Sequence, residues 1–313
     1  RAVIDEGARV GPPGIEAWIE RSWRRCLAQG FDPGQRLGFD AVSRSSIGHL
    51  LEANRPLLLA AAPVIQSLAR AMADSGYFAI LTNAEGVVID VNGPIDHGNR
   101  LAHLIARVGV DLSEEAVGTT AIGATLKELH PVWLHRGEHF FEDAGAYSCA
   151  GAPLFGPDGR CVGMLDLTGV DVPERPALKH LAARSALSIE NALLLAQPHR
   201  LMLRLNWPGQ APGGDSDGLV CIDGDGRIIG INRTAASMLG LAGVAPWPHS
   251  GDVFAVAFDT LFDAAAQQRA ATELPLWSGL RVQVLARLAE GGAPGTATHR
   301  VPRGGAVPLK DME

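Results

Sequence analysis

Three segments of this sequence repeat one design: an apolar run, a tight turn in which an acid or amide comes with glycine, and a second apolar run. The first runs from Tyr77 to Thr82, turns through Asn83-Ala84-Glu85-Gly86 and continues from Val87 to Asp90. The second sets Gly156-Pro157-Asp158-Gly159 between residues 151–155 and 161–167, and the third sets Asp223-Gly224-Asp225-Gly226 between residues 218–222 and 227–232. Glycine in such a turn supplies the positive φ that a tight hairpin needs, so each segment predicts an antiparallel strand pair. Two pairs fall in one module and the third opens another.

Helical patterns lie between them. Ile15, Trp18, Ile19, Trp23 and Leu27 recur every three to four residues and predict an amphipathic helix over 14–29, stopped by Phe31-Asp32-Pro33-Gly34. Residues 46–72 read as a second helical stretch with Pro56 and Pro63 as boundaries or kinks, and 176–195 as a long helix free of internal glycine and proline. Along that helix Ala182, Ala186, Ile189, Leu193 and Ala196 form a short heptad-like seam, which suits either a partner subunit's helix or the module's own sheet. Pro208 to Asp215 reads as a linker, and 291–307, dominated by glycine, proline and threonine, as a flexible tether. The expected division is a helical segment at 1–58, a first domain with its connecting helix at 59–196, a linker at 197–216, a second domain at 217–290 and a tether at 291–313.

Composition supports two globular modules: 47% of the 313 residues are hydrophobic and 19% charged, the balance of a chain that fills cores. With 27 basic against 34 acidic residues the net charge is -7, so this surface is not built mainly to neutralise phosphates. Cys26, Cys149, Cys161 and Cys221 show no C-x-x-C spacing, which argues against a zinc ribbon or a disulfide framework and fits a reducing cytosol. No apolar run approaches the roughly 20 residues that cross a bilayer.

Several motifs then converge on one family. Ser22-Trp23-Arg24-Arg25-Cys26 is followed by Gly30-Phe31-Asp32-Pro33, Ser113-Glu114, the run Gly118 to Gly123, Gly137-Glu138-His139-Phe140, the run Tyr147 to Phe155, and Leu165-Asp166-Leu167-Thr168-Gly169. In this order they resemble bacterial transcription activators of the acetoin-catabolism-regulator type. The resemblance implies an α+β chain: a GAF domain with an antiparallel sheet and flanking helices, joined by a long helix to a PAS domain that opens near Asp217. Two positions depart from the family pattern. Thr120 replaces an amide and Leu112 replaces an aromatic, both where a pocket would be lined. The sequence carries no G-x-x-x-x-G-K-[ST] phosphate loop, so the central ATPase of sigma-54 activators is not expected. Pro308 to Glu313 resembles the entry to a Fis-type helix-turn-helix. The implied protein is cytoplasmic and dimeric; it binds a small effector, meets DNA through a C-terminal domain outside this chain, and works with RNA polymerase.

On that resemblance the effector-binding candidates are Glu115, Thr119, Thr120, Trp133, His139, Phe141, Tyr147, Cys149 and Asp166, aromatic walls with convergent polar groups. Rival chemistry is weighed beside it. His135-Arg136-Gly137-Glu138-His139 fits the H-x-x-E-H pattern of certain zinc peptidases, but that mechanism needs a helix, and a strand and a glycine argue for a turn with local hydrogen bonds. Cys149 is a redox candidate if a cation lowers its pKa or if Cys161 faces it across the hairpin; a buried, inert thiol is the plainer reading. No haem or flavin motif is visible, so no cofactor is expected, and a protein-docking role for the second domain remains an alternative to ligand sensing.

Overall fold

The structure, a computed structural model, describes residues 15–96, 98–267 and 270–289. The first domain begins with helices α1 (Ala17–Ala28), α2 (Arg44–Ala53) and α3 (Arg55–Ala71), followed by strands β1 (Tyr77–Asn83) and β2 (Val88–Asn92). Three short helices come next, α4 (Arg100–Ile105), α5 (Glu114–Val117) and α6 (Ala121–Glu128), then β3 (Val132–His135), β4 (Tyr147–Phe155), β5 (Cys161–Val170) and the long helix α7 (Leu178–Leu195). The second domain holds β6 (Leu201–Asn206), β7 (Gly218–Ile222), β8 (Ile228–Ile231), helices α8 (Arg233–Leu239) and α9 (Phe258–Ala266), and strands β9 (Thr272–Pro275) and β10 (Arg281–Leu288).

All three expected hairpins form, and Gly86, Gly159 and Gly226 take φ of 87°, 79° and 84°, the turn conformation that selects glycine. The first sheet has the order β2-β1-β5-β4-β3, the second β8-β7-β6-β10-β9, and every pairing is antiparallel.

Alternation along the strands gives the first sheet two apolar faces. Tyr77, Ala79, Leu81, Ala150, Ala152, Leu154, Leu165 and Leu167 pack under α3 and α7. Phe78, Ile80, Cys149 and Met164 face the other way, onto α1 and α6. Four of the five α7 seam residues, Ala182, Ala186, Ile189 and Leu193, are buried in the first of these layers against the domain's own sheet, while Ala196 is exposed. In the second domain Leu203, Leu205, Val220, Val282 and Val284 form the core with Met238 and Leu261.

The structure departs from the expected division at the 197–216 linker and at the N-terminal segment. The stretch 197–216 contains β6, the central strand of the second sheet; Leu201, Leu203 and Leu205 are buried and alternate with half-buried Met202, Arg204 and Asn206, a period of two that the neighbouring glycine and proline disguised. The boundary at 58/59 falls inside α3, which carries Pro56 in its first turn and Pro63 within it. The N-terminal segment is part of the first domain, because α1 buries Trp18, Ile19, Trp23 and Cys26 in that domain's core, while Leu27 is 36% exposed. The expected tether and the Fis-like end, 291–313, lie outside the described residues.

Candidate functional site

The motifs that carry the family resemblance meet in space. Arg25, from the N-terminal motif, donates Nε and Nη2 to the Glu114 carboxylate at 2.5 and 2.9 Å, and its Nη1 to Glu128 at 2.9 Å. Ser22 Oγ donates to Glu114 Oε2 at 2.5 Å and lies 2.7 Å from Thr119 Oγ1. Glu114 has a fully buried side chain, and its amide sits so close to Gly123 that a Cβ there would stand 2.6 Å from the Glu114 nitrogen. Helix α1 is thus strapped across α5 and α6 by a paired carboxylate, the condition for burying a charge. Arg24, the neighbouring arginine, is exposed and pairs with Glu20 one turn away. The anion that Arg25 binds is the protein's own.

Beneath this strap lies a small pocket of about 30 Å³. Its apolar lining includes Leu37, Phe39, Ile105, Leu112, Ala121 and Ile122, and its polar wall consists of Thr120, His139, Tyr147, Cys149, Asp166 and Thr168. Asp166, in the middle of β5, is fully buried; Thr168 Oγ1 contacts its Oδ2, while Oδ1 has no hydrogen-bond partner. Burial pushes the carboxyl up to about 7. Thr168 Oγ1 also reaches Cys149 Sγ at 3.3 Å. One hydroxyl proton faces two acceptors here, so when the carboxyl is protonated it can donate to Thr168 Oγ1 and free the hydroxyl for the sulfur.

His139 is 4% exposed, and burial pushes its pKa down to about 4, so the ring is neutral. Nδ1–H donates to the Arg136 carbonyl at 2.8 Å, which leaves Nε2 as an acceptor 3.9 Å from Cys149 Sγ. Burial, with Asp166 adding to it, pushes the Cys149 thiol well above its usual range. A neutral histidine and a protonated thiol do not make an activated nucleophile. The strand register sets Cys149 opposite Thr168 and Cys161 opposite Phe155, so the two cysteines do not face each other.

Of the expected residues, Thr120, His139, Tyr147, Cys149 and Asp166 come together around the cavity, and the others lie elsewhere. Thr119 is turned to α1, with Cys26 Sγ 3.5 Å from its hydroxyl. Glu115 is exposed and pairs with Lys127 at 2.5 Å. Trp133 packs with the opposite core layer and stacks on His135, and Phe141 packs edge-on against Phe31 and Phe140. Thr120 caps α6 by accepting from Gly123 N–H at 3.1 Å, a task that asparagine and threonine both perform. Both positions that depart from the family pattern, Leu112 and Thr120, line the cavity. Thr168 and Glu114 were not singled out, although both lie in quoted motifs; the signal for Thr168 is its place two residues after Asp166 on one strand face.

The H-x-x-E-H segment is a strand end and a 3-10 turn, not a helix. Glu138 accepts from His135 N–H at 2.7 Å, and His135 Nδ1 lies 2.7 Å from Ser148 Oγ. Among the described residues no group of three or more His, Cys, Asp or Glu side chains is placed to hold a metal ion. No described helix is long and apolar enough to cross a membrane.

Comparison with known proteins places this architecture. The MimR N-terminal domain family matches residues 20–191, and the PAS domain family matches 216–273. The acetoin catabolism regulatory protein of Cupriavidus necator is 30% identical over 276 residues, 84% of this chain and 41% of that protein. The propane 2-monooxygenase operon transcriptional activator MimR of Mycolicibacterium smegmatis is 32% identical over 144 residues, 45% of this chain and 25% of its own length. The chain therefore spans well under half of these regulators. The E. coli DhaR(N)–DhaL complex shares the fold, with a TM-score of 0.54 at 16% identity over 87% of this chain and 99% of that one. The chain belongs to the MimR N-terminal domain family, with a GAF-type domain followed by a PAS domain, and is a relative of the acetoin-type bacterial transcription regulators.

Proposed function

We propose that this chain is the signal-sensing region of a transcription regulator, in which a small metabolite enters the first-domain cavity and shifts an equilibrium that the second domain reads. The observation that carries the reading is Asp166 Oδ1, a fully buried acceptor with no partner beside a small, mostly apolar cavity. An unmet buried acceptor is costly, and a ligand that donates a hydrogen bond removes the cost.

The cavity's size gives the relay its physical basis. About 30 Å³ holds roughly one water molecule, so a metabolite of several heavy atoms fits only if a wall moves. Thr120, Ala121 and Ile122 form one wall, and Thr119, next in the chain, holds α1 through Ser22. A ligand that displaces that wall binds the two arrangements with different affinity, the condition for shifting an output. DNA binding belongs, in this reading, to a helix-turn-helix outside the described residues. A twofold dimer suits paired operator half-sites, with its contact on a face other than the α7 seam.

The test is calorimetric titration of the folded chain at pH 7 with small neutral hydroxylated compounds, one donor on a short apolar body, beside Ile122→Trp, which fills the cavity. Saturable heat in the parent that vanishes in the variant supports the reading; no binding across the panel, or binding unchanged by the variant, counts against it.

A second reading is a docking module. Trp277 and Leu280, at the β9–β10 turn, are 69% and 51% exposed, and the fold relative DhaR(N) was solved with DhaL. Co-purification from the native host that depends on Trp277 and needs no cavity ligand would favour it.

A further inference from the structure

The β4–β5 hairpin has one end on the cavity and the other inside the second domain. Cys149, Asp166 and Thr168 lie where its strands line the cavity. At its turn, the Pro157 carbonyl accepts hydrogen bonds from Ile231 N–H at 3.2 Å and Trp247 Nε1–H at 3.0 Å, both from the second domain. From Cys149 to Phe155 the strand spans about 20 Å at roughly 3.3 Å per residue.

Beside the turn sits Glu190 of α7, whose side chain is 2% exposed. Its Oε1 accepts from Phe155 N–H at 3.0 Å and its Oε2 from Arg233 Nε at 3.1 Å, Arg233 Nη2 lies 3.0 Å from Oε1 as an ion pair, and the guanidinium lies over the Phe155 ring, 4.9 Å from its centre. One buried carboxylate therefore ties strand β4, helix α7 and the first residue of α8. The next residue of α7, Asn191, accepts from Asn232 Nδ2 at 2.8 Å. A cleft of about 460 Å³ opens between the turn and α8, so the joint has unfilled space to move into.

We propose that the β4–β5 hairpin is the lever that carries a change in the cavity to the second domain, with Glu190 and Arg233 as the positioning residues of its joint. The inference rests on the reading of the cavity as the sensing site. A hydrogen-bonded strand pair in a packed sheet transmits a displacement instead of absorbing it. The joint combines a charge-assisted hydrogen bond with a second close ion-pair contact and is partly sheltered, which restricts one group's orientation on the other.

The test needs no effector. Asp166→Asn at pH 8 removes a buried charge at the cavity end, and hydrogen exchange is followed in peptides covering β8 and α8. The expected result is an exchange change of at least 5-fold there, within the range of ordinary coupling between sites, falling below 2-fold when Arg233→Met is added. If Arg233→Met alone does not fold, Arg233→Met/Glu190→Gln, which leaves no unpaired buried carboxylate, replaces it, and Trp247→Phe, which drops one bond to Pro157, is expected to weaken the coupling partway. A distant change that persists undiminished in the joint variants overturns the proposal. So does a change confined to β4, β5 and the cavity. Failure of the sensing reading shows up separately, as the absence of any cavity guest in a binding experiment.

Discussion

Arg24 and Arg25 are neighbours in one motif, and the structure predicts opposite consequences for losing them. Arg25 is one-third exposed and holds a carboxylate, Glu114, that is not exposed at all. Replacing Arg25 with methionine leaves that charge with Ser22 as its remaining hydroxyl donor. Removing one partner of a fully buried ion pair costs about 3–5 kcal/mol; water reaching the exposed third of Arg25 reduces this to about 2–3 kcal/mol. For a domain of this size each kcal/mol moves the melting temperature by roughly 2–4 °C, so Arg25→Met is expected to lower it by about 5–10 °C. Arg24 is 60% exposed and pairs along its own helix, so Arg24→Met should cost under about 0.5 kcal/mol. Adding Glu114→Gln to Arg25→Met removes the stranded charge and should recover about 1 kcal/mol or more. Thermal and urea unfolding of the variants measure all of this. Equal losses at Arg24 and Arg25, or a double variant no better than Arg25→Met, would refute the strap.

Other consequences follow from the same geometry. Asp166 and Glu190 both titrate near 7 when folded because burial disfavours their charge, so each binds a proton that the unfolded chain has released; their contribution to stability falls as pH rises from about 4 to about 7. His139, near 4 when folded, works in the opposite sense, adding stability as pH rises from about 4 to 6.5. Asp166→Asn should therefore flatten the fall between pH 5 and 8 by an amount on the order of a few kcal/mol; an unchanged profile would show that the carboxyl is ordinary. Gly123→Ala, a gain of about 1 kcal/mol on helix propensity alone, should cost roughly 1–3 kcal/mol by overpacking against Glu114, read by urea unfolding. Native thiol titration at pH 8 should find Cys149 inert and Cys161, the cysteine with partial exposure, the fastest to react; a Cys149 that reacts like a free thiol would contradict its environment.

The sheets were legible because hairpin chemistry is local. Each turn names its own glycine, and the positive φ at Gly86, Gly159 and Gly226 follows from residues next to it. Strand β6 was not, because its alternation is short and it pairs with β7 and β10, the latter some 80 residues away. Within the site, Cys149 and Asp166 lie on strand faces that alternation defines, whereas Trp133, also on a strand, points to the opposite layer. On the short α5 and α6 the choice between adjacent residues decides everything. Glu114 faces inward while Glu115 meets solvent, and Thr120 lines the cavity while Thr119 turns to α1. That parity depends on where α1 docks, a contact some 90 residues distant in sequence. The seam on α7 illustrates the same limit, since its spacing suits a partner helix and its own sheet equally well.

The central claim is that the cavity beside Asp166 takes a small molecule. Native mass spectrometry of protein freshly purified from its host, wild type beside Ile122→Trp, tests it most directly. A retained species of small mass is expected in the wild type, and its loss in the variant. A wild type that carries nothing, even after incubation with extract of the host's metabolites, or a guest retained equally by the filled cavity, would contradict it.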